Sequence, residues 1–332
     1  MNRFEIVTPA DLPAAVRLLA QPGHMALAGG VDTLDLLKQQ IAAPRALVDL
    51  NGLKELQGID PTPDGGLRVG ALARLSDIAA HPVVRARFTA LAEAAGEAAT
   101  PQIRNLGTVG GNLLQRPRCW YFRNPDILCL KKGGHLCYAI NGLNRYHAIL
   151  GGGPSFIVHP SNLAPALIAF GTSVRLFGPG GERKVVLDQF FALPSVDATR
   201  ENVLQAGEIV VEVDVPPPPA SAGSAYLEVR EKQSFDWPLV SVAAMLEIDP
   251  GSKKVHQANV VLGAVAPIPW RAREAEQALA GGVLDRARAA SAADAALKDA
   301  RPLPHNAYKV AIARVIVRRA VLRAGQVQDV RF

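Results

Sequence analysis

The sequence predicts an α+β chain of two or three domains, on three observations. Its 332 residues are too many for one ordinary core. Its apolar residues alternate between short strand-like runs and helix-spaced runs. A proline-rich stretch, PPPPASAG at 216–223, interrupts the chain before its last third, as a linker does.

Composition narrows the function classes. Nearly half the residues are apolar and 20% are charged, which suits a packed globular chain and not a disordered one. The net charge of +6 is modest for this length and reads as a solvated basic surface. Aromatic residues are sparse and no nucleic-acid-binding signature is present, so no nucleic-acid partner is expected. The first twenty residues lack a charged segment followed by an apolar one, so no signal peptide is expected in this chain. No apolar run reaches membrane-spanning length. The expected location is cytoplasmic, or periplasmic by co-export with a partner.

In order, PADLPAAVRLLA (9–20) has helical spacing, with Thr8 as candidate cap. MALAGGVDTLDLLKQQ (25–40) reads as a strand end, a Gly29-Gly30 turn and a helix capped by Asp32 or Thr33. Such a turn aims backbone N–H groups, and the positive end of a helix dipole, at whatever lies above it. Residues alone leave a plain βα turn and an anion-binding turn both open. It is neither G-x-G-x-x-G nor a Walker loop. Residues 46–53 read as a strand ending in Asn-Gly. Residues 67–81 read as strand, turn and a helix from Ser76, and 87–99 as an alanine-rich helix. Further on, 155–191 gives a helix and a Gly-Pro-Gly-Gly hairpin, and 208–215 a strand. Beyond the linker, strands and one apolar helix are expected up to about 266. Three helices follow at 271–279, 287–296 and 306–324, the last with a basic face of lysine and arginine reaching for solvent.

The chemistry concentrates between Thr100 and Gly153. RNLGTVGGNLL (104–114) lets backbone approach a ligand closely, and Thr108 and Asn112 can hydrogen-bond phosphate or ribitol oxygens. A glycine-rich structural turn is the other reading. The next thirty residues or so hold every cysteine of the chain: Cys119, Cys129 and Cys137. Three cysteines in one window do not suggest a disulfide framework. Their spacing matches no standard template, so zinc held by three cysteines and a histidine and an iron–sulfur cluster stay open together.

AGGVDTLDLLK, then GTVGGNL about eighty residues later, then LGAVAPIPWRAREAE together resemble the flavin subunit of the molybdenum hydroxylases, the xanthine dehydrogenase and aldehyde oxidoreductase family. The resemblance covers nearly the whole chain. It implies a two-subdomain FAD-binding unit of the PCMH (vanillyl-alcohol oxidase-like) type, followed by a C-terminal domain of a small sheet and helices. The implied division is 1–55 and 56–215 for the two FAD-binding subdomains, 216–223 for the linker and 224–332 for the C-terminal domain. It makes Ala26, Leu27, Ala28, Gly29, Gly30, Val31, Asp32, Thr33 and Leu34 the pyrophosphate loop. Thr108, Gly110, Gly111 and Asn112 match the second flavin loop. SNLAPAL stands where the family has G-D-x-x-P-A-L, so Asn162 replaces an acidic residue there. Lys232 lies where the family approaches the flavin ring.

Most of the family lacks a segment like 116–150. RPRCWYF, CLKKGGHLC and NRYHAILGG resemble the insert of the periplasmic aldehyde oxidoreductase group most, and that of 4-hydroxybenzoyl-CoA reductases next. In those proteins the insert carries a [4Fe–4S] cluster, and this tips the residue reading from zinc to the cluster. Cys119, Cys129 and Cys137 are then three ligands, and His147 is the candidate fourth, ahead of Tyr146, His135 and Asp126. The implied partners are a molybdopterin-containing large subunit, a [2Fe–2S] small subunit and an external electron acceptor, in a heterotrimer. This chain would carry FAD and the cluster as an oxidoreductase's electron-transfer subunit, with no catalytic acid–base residue of its own. The alternatives are the flavin subunit of a 4-hydroxybenzoyl-CoA reductase-type enzyme and a zinc-stapled scaffold without redox activity.

Overall fold

The computed structural model describes residues 1–232 and 234–329; Gln233 and the last three positions of the expected 224–332 domain lie outside the described residues. Three sheets follow one another along the chain.

The first is parallel. β1 (Glu5–Val7), α1 (Leu12–Leu19), β2 (His24–Leu27), α2 (Val31–Lys38) and β3 (Ala46–Asp49) form two crossovers with β3 central. Helices are the usual way to join parallel neighbours. Asp11, not Thr8, caps α1, its carboxylate accepting from the Ala14 amide at 2.7 Å. The cap of α2 also differs from expectation. Gly30, at φ 73°, is the N-cap and the helix begins at Val31. Asp32 and Thr33 therefore lie inside the first turn. Glycine takes this left-handed φ without a steric penalty.

The second sheet is antiparallel, in the order β4-β5-β8-β6-β7. It opens with β4 (Ile59–Pro61) and β5 (Leu67–Gly70). Helical segments follow: α3 (Leu75–Ala80), α4 (Pro82–Arg87), α5 (Thr89–Glu97), α6 (Pro101–Arg104), α7 (Val109–Leu113), α8 (Trp120–Arg123) and α9 (Leu163–Ala169). β6 (Ser173–Gly178), β7 (Gly181–Val186) and β8 (Ile209–Val215) complete it, with the expected hairpin between Gly178 and Gly181. The alanine-rich helix starts later than expected, after a break at Phe88. That ring is fully buried and meets Phe170 edge-on at 5.3 Å.

The third sheet, order β12-β11-β10-β9, is antiparallel too. β9 (Ala222–Val229), β10 (Val240–Ile248), β11 (Val255–Gly263) and β12 (Trp270–Arg271) precede α10 (Arg273–Leu279), α11 (Arg286–Ala296) and α12 (Tyr308–Ala324). The expected linker yields its last two residues to β9. The apolar helix expected before 266 is not formed; LVSVAAMLEI is the inner strand β10. Val240, Val242, Ala244 and Leu246 pack with the C-terminal helices, while Ala243 and Met245 enter the core shared with α5 and α9. A strand buried on both faces loses its alternation and reads as one apolar run. The same burial fastens the third sheet to the flavin-loop region. No helix among the described residues is long and apolar enough to cross a membrane.

Candidate cofactor site

The turn between β2 and α2 and the 104–114 segment face each other across a cavity of about 640 Å³, within the range of cofactor pockets. Of the predicted flavin residues, all but Leu27 and Lys232 line it. Leu27 instead ends β2, its carbonyl accepting from the Leu50 amide at 2.9 Å. Lys232 is exposed on the turn after β9; from that turn it is Trp237 that reaches the cavity.

The two loops touch through glycine. A Cβ at Gly29 would lie 1.8 Å from the Leu106 carbonyl oxygen, so no other residue fits without moving a backbone. The same contact borders a second, more polar cavity of about 560 Å³, reached by Asn51, Arg74, Asp77 and Asn105. Thr108 caps α7, its hydroxyl accepting from the Gly111 amide at 3.1 Å; such a hydroxyl still has a proton to donate.

The amide side chains are less free than the sequence suggested. Asn112 accepts from the Ser161 hydroxyl at 2.6 Å and the Leu163 amide at 3.3 Å, so its carbonyl ties α7 to α9. Asn162 donates to Glu228 at 2.9 Å and the Tyr226 hydroxyl at 3.3 Å. Burial holds the Glu228 carboxyl above its ordinary range. An acidic group therefore lies beside position 162, on β9, and the amide joins the Tyr226 hydroxyl and the Arg230 guanidinium in donating to that buried carboxylate.

Sequence reasoning missed a cluster of charge on this cavity. Arg118 and Arg123 come from the insert, Asp32 and Asp35 from the first turns of α2. Arg118 lies 2.9 Å from Asp32 and 2.8 Å from Asp35, and Arg123 lies 2.7 Å and 3.1 Å from the same two. Asp32 also accepts from the Arg116 amide at 2.8 Å. The Arg118 guanidinium packs over Trp237, 4.7 Å from the ring centroid. The only signal in the sequence was the R-P-R that opens the insert.

The insert has little regular structure beyond α8. Its cysteines are inward: Cys129 and Cys137 are buried and Cys119 is half-buried. The Sγ of Cys119 is 3.2 Å from Nε2 of His147. Burial first, then the neighbouring thiols of Cys129 and Cys137, push Cys119 up to about 11. Burial and the Lys309 charge bring His147 down to about 4, which keeps the ring neutral, the state a ligand needs. Trp120 and Tyr121 flank that ring at 5.9 Å and 6.1 Å. Of the other fourth-ligand candidates, Tyr146 donates its hydroxyl to Glu231 at 2.8 Å, and Asp126 and His135 are exposed. Among the described residues, no three His, Cys, Asp or Glu side chains are placed to hold one metal ion.

The C-terminal domain braces this segment. Asn306 donates to the carbonyls of His147 and Ala148 at 3.0 Å and 3.2 Å. Lys309 belongs to the helix expected to show lysine to solvent, yet it is 1% exposed. Its ammonium donates to the carbonyls of Tyr146 and His147, at 3.2 Å each, and of Ala264 at 2.7 Å. Burial pushes it down to about 7. The insert is further held by Glu201, which meets Arg116 and Lys131 at 2.7 Å each.

Comparison with known proteins gives concordant matches. The profile described as the FAD binding domain in molybdopterin dehydrogenase matches residues 2–218, and the one described as the CO dehydrogenase flavoprotein C-terminal domain matches residues 224–324. The aldehyde oxidoreductase FAD-binding subunit PaoB of Escherichia coli (strain K12) is 38% identical over 309 residues, covering 92% of this chain and 93% of that one. The carbon monoxide dehydrogenase medium chain of Hydrogenophaga pseudoflava is 31% identical over 327 residues, 96% of each. A solved structure of the Hydrogenophaga pseudoflava carbon monoxide dehydrogenase, lacking the Mo-pyranopterin moiety of its cofactor, contains a chain that superposes with a TM-score of 0.77 at 30% identity, covering 98% of both.

Proposed function

The chain belongs to the FAD-binding subunits of the molybdenum hydroxylases, and we propose that it is the FAD- and [4Fe–4S]-containing electron-transfer subunit of an aldehyde oxidoreductase-type complex. In this reading a molybdopterin-bearing large subunit oxidises the substrate, and a [2Fe–2S] small subunit links it to this chain. An external acceptor collects the electrons. Residues 1–55 and 56–215 are the two flavin-binding subdomains, and 224 onward is the C-terminal domain.

The residues present fit FAD. The first turn of α2 offers backbone N–H groups and the positive end of its dipole, with no side chain capping it; a diphosphate suits that end. Gly29 and Gly30 would bring backbone to it, and Thr108, Gly110 and Gly111 would hold the facing side. Bound flavin supplies the exchange between one-electron and two-electron carriers that such a complex requires. This chain's contribution is to bind and orient it and to exclude water with Leu34, Leu72, Ile103 and Trp237, all on the cavity wall.

One observation carries the cluster assignment: across 28 residues the fold sets a buried ring nitrogen against a thiol, His147 against Cys119. Cys119, Cys129, Cys137 and His147 would hold the cluster, and the chemistry of the set is compatible with it, since thiolates suit iron–sulfur centres. Three cysteines and a histidine would also suit zinc, but among the described residues no three such side chains converge as a single ion needs, and the insert's resemblance to that of the aldehyde oxidoreductase group favours the cluster.

The test is iron and acid-labile sulfide in the anaerobically purified complex, with EPR after reduction. About four irons per chain are expected for this cluster type. Each Cys→Ser change should lower iron content, and His147→Ala should shift the EPR signal with milder loss of iron. Stoichiometric zinc without sulfide would reject the cluster. An EPR signal unchanged in His147→Ala would reject the fourth ligand alone.

A further inference from the structure

Two aspartates are an odd choice beside a diphosphate. Asp32 sits in the first turn of α2 and Asp35 one turn on, both on the cavity wall. An acidic group there suits the dipole but competes with an anionic ligand for it and repels that ligand. The structure resolves the conflict with charge from elsewhere. Each aspartate meets both Arg118 and Arg123, in four contacts between 2.7 and 3.1 Å. The guanidinium of Arg123 is further fixed by donating to the carbonyls of Pro117 and Arg116, at 2.7 Å and 3.1 Å. Two positive and two negative groups cancel. Cancellation leaves the positive end of α2 available, and planar arginine forks make the arrangement directional.

Both arginines belong to the insert. Arg118 immediately precedes Cys119, and Arg123 ends the single helical turn that Cys119 opens. The same Arg118 guanidinium lies against Trp237, which also lines the cavity. One cluster therefore touches the diphosphate-facing turn, the loop after β9 and the backbone of the first cysteine.

We propose that Arg118, Arg123, Asp32 and Asp35 form a positioning lattice that couples the flavin site to the cysteine insert, so that filling one orders the other. The lattice rests on the chain's binding of FAD and not on which metal group the insert carries. By linkage the coupling must act in both directions. Loss of one charge should weaken FAD binding, and FAD should steady the insert only while the lattice is whole.

The experiment uses the full chain in its complex, with flavin removed and restored. Hydrogen exchange of the amides in 116–124 is followed with and without FAD, and the FAD dissociation constant is measured by flavin fluorescence. Asp35→Asn removes one charge of the lattice. Arg118→Lys keeps the charge but loses the fork and the stacking on Trp237, and serves as well where Asp35→Asn yields no folded protein. In the unmodified complex FAD should slow exchange in 116–124. In either variant that slowing should vanish, and FAD should bind more weakly by on the order of tenfold, within the usual range of coupling between sites. Exchange slowed by FAD as strongly in the variants as in the unmodified protein, or not slowed in any, would overturn the proposal. Iron analysis of the same samples tests the cluster separately, and the flavin spectrum of the unmodified complex tests FAD binding.

Discussion

Gly29→Ala is the sharpest test of the two-loop cavity. The added methyl would lie 1.8 Å from the Leu106 carbonyl oxygen and 2.7 Å from its carbon. An ordinary C···O contact is about 3.3 Å or more, so the loops must part by about 1.5 Å. The obstacle is backbone, and no side-chain rotation relieves it. Leu106 is not free to yield either, because its amide and that of Gly107 both donate to Ile103, at 3.1 Å and 2.7 Å. Overpacking of this kind costs about 1–3 kcal/mol. The backbone angle at residue 29 is one that alanine tolerates, so the cost is steric.

Gly30→Ala provides the contrast. Its nearest neighbour would be the Leu34 Cδ1 at 3.4 Å, an ordinary contact, but its φ of 73° charges alanine about 1–2 kcal/mol for left-handed backbone. Gly30→Asn should recover part of that, since asparagine visits this region more readily. The assays are thermal unfolding and FAD titration of the same three proteins. Gly29→Ala should lose at least about tenfold in FAD affinity, which is about 1.4 kcal/mol, beyond its loss of stability, because it separates the cavity's two walls. Gly30→Ala and Gly30→Asn should differ mainly in melting temperature. Gly29→Ala with unaltered FAD affinity would show that the gap between the loops does not shape the flavin site.

Other substitutions test the supports around it. Asn162→Asp would set a second carboxylate against Glu228, now 2.9 Å from the amide, and raise one of the pair further above the value that burial has already raised. A carboxyl raised in the folded state binds its proton more tightly there, so the penalty is small in acid and grows as pH rises past the unfolded value; the variant's melting temperature should fall further below that of the unmodified protein at pH 8 than at pH 5, and equal losses would refute the pairing. Lys309→Met leaves the carbonyls of Tyr146, His147 and Ala264 without their shared donor and should cost about 1–3 kcal/mol; an unchanged melting temperature would deny it a supporting role. Finally, the chain freed of its partners should not oxidise aldehydes, and turnover by metal-checked, partner-free protein would refute the division of labour proposed above.

How much of this was legible depended on the range of the interaction. The Gly29-Gly30 turn and the GTVGG segment announce themselves through local backbone demands, and both line the cavity. The hairpin at 178–181 and the three last helices are equally local. β10 is not distinguishable from an apolar helix in the sequence, because burial on both faces removes the alternation that marks a strand. The cap of α2 was misplaced because Asp32 looks like a capping residue, whereas the left-handed geometry of Gly30 lets the helix start before it. Arg118, Arg123 and Trp237 could not have been chosen over the other arginines and tryptophans, since their role rests on contacts that join positions more than eighty residues apart.

The insert shows that limit most clearly. A segment with one short helix, whose Leu128, Leu136, Tyr138 and Leu143 side chains stay exposed, cannot hold itself by a core of its own, and its small buried cluster borrows Leu36 from α2. What fixes it is a set of polar ties to four separate regions: the aspartates of α2, Glu201 after the second sheet's hairpin, Glu231 after β9, and Asn306 with Lys309 at the start of α12. Each tie makes the cost of ordering the loop easier to meet, and none leaves a periodic trace in the sequence. Lys309 illustrates why. By spacing it belongs to a basic helix face, where a lysine normally extends to water. The approach of residues 146, 147 and 264, all earlier in the chain, supplies the carbonyls that let it stay inside, and with it the wall behind His147.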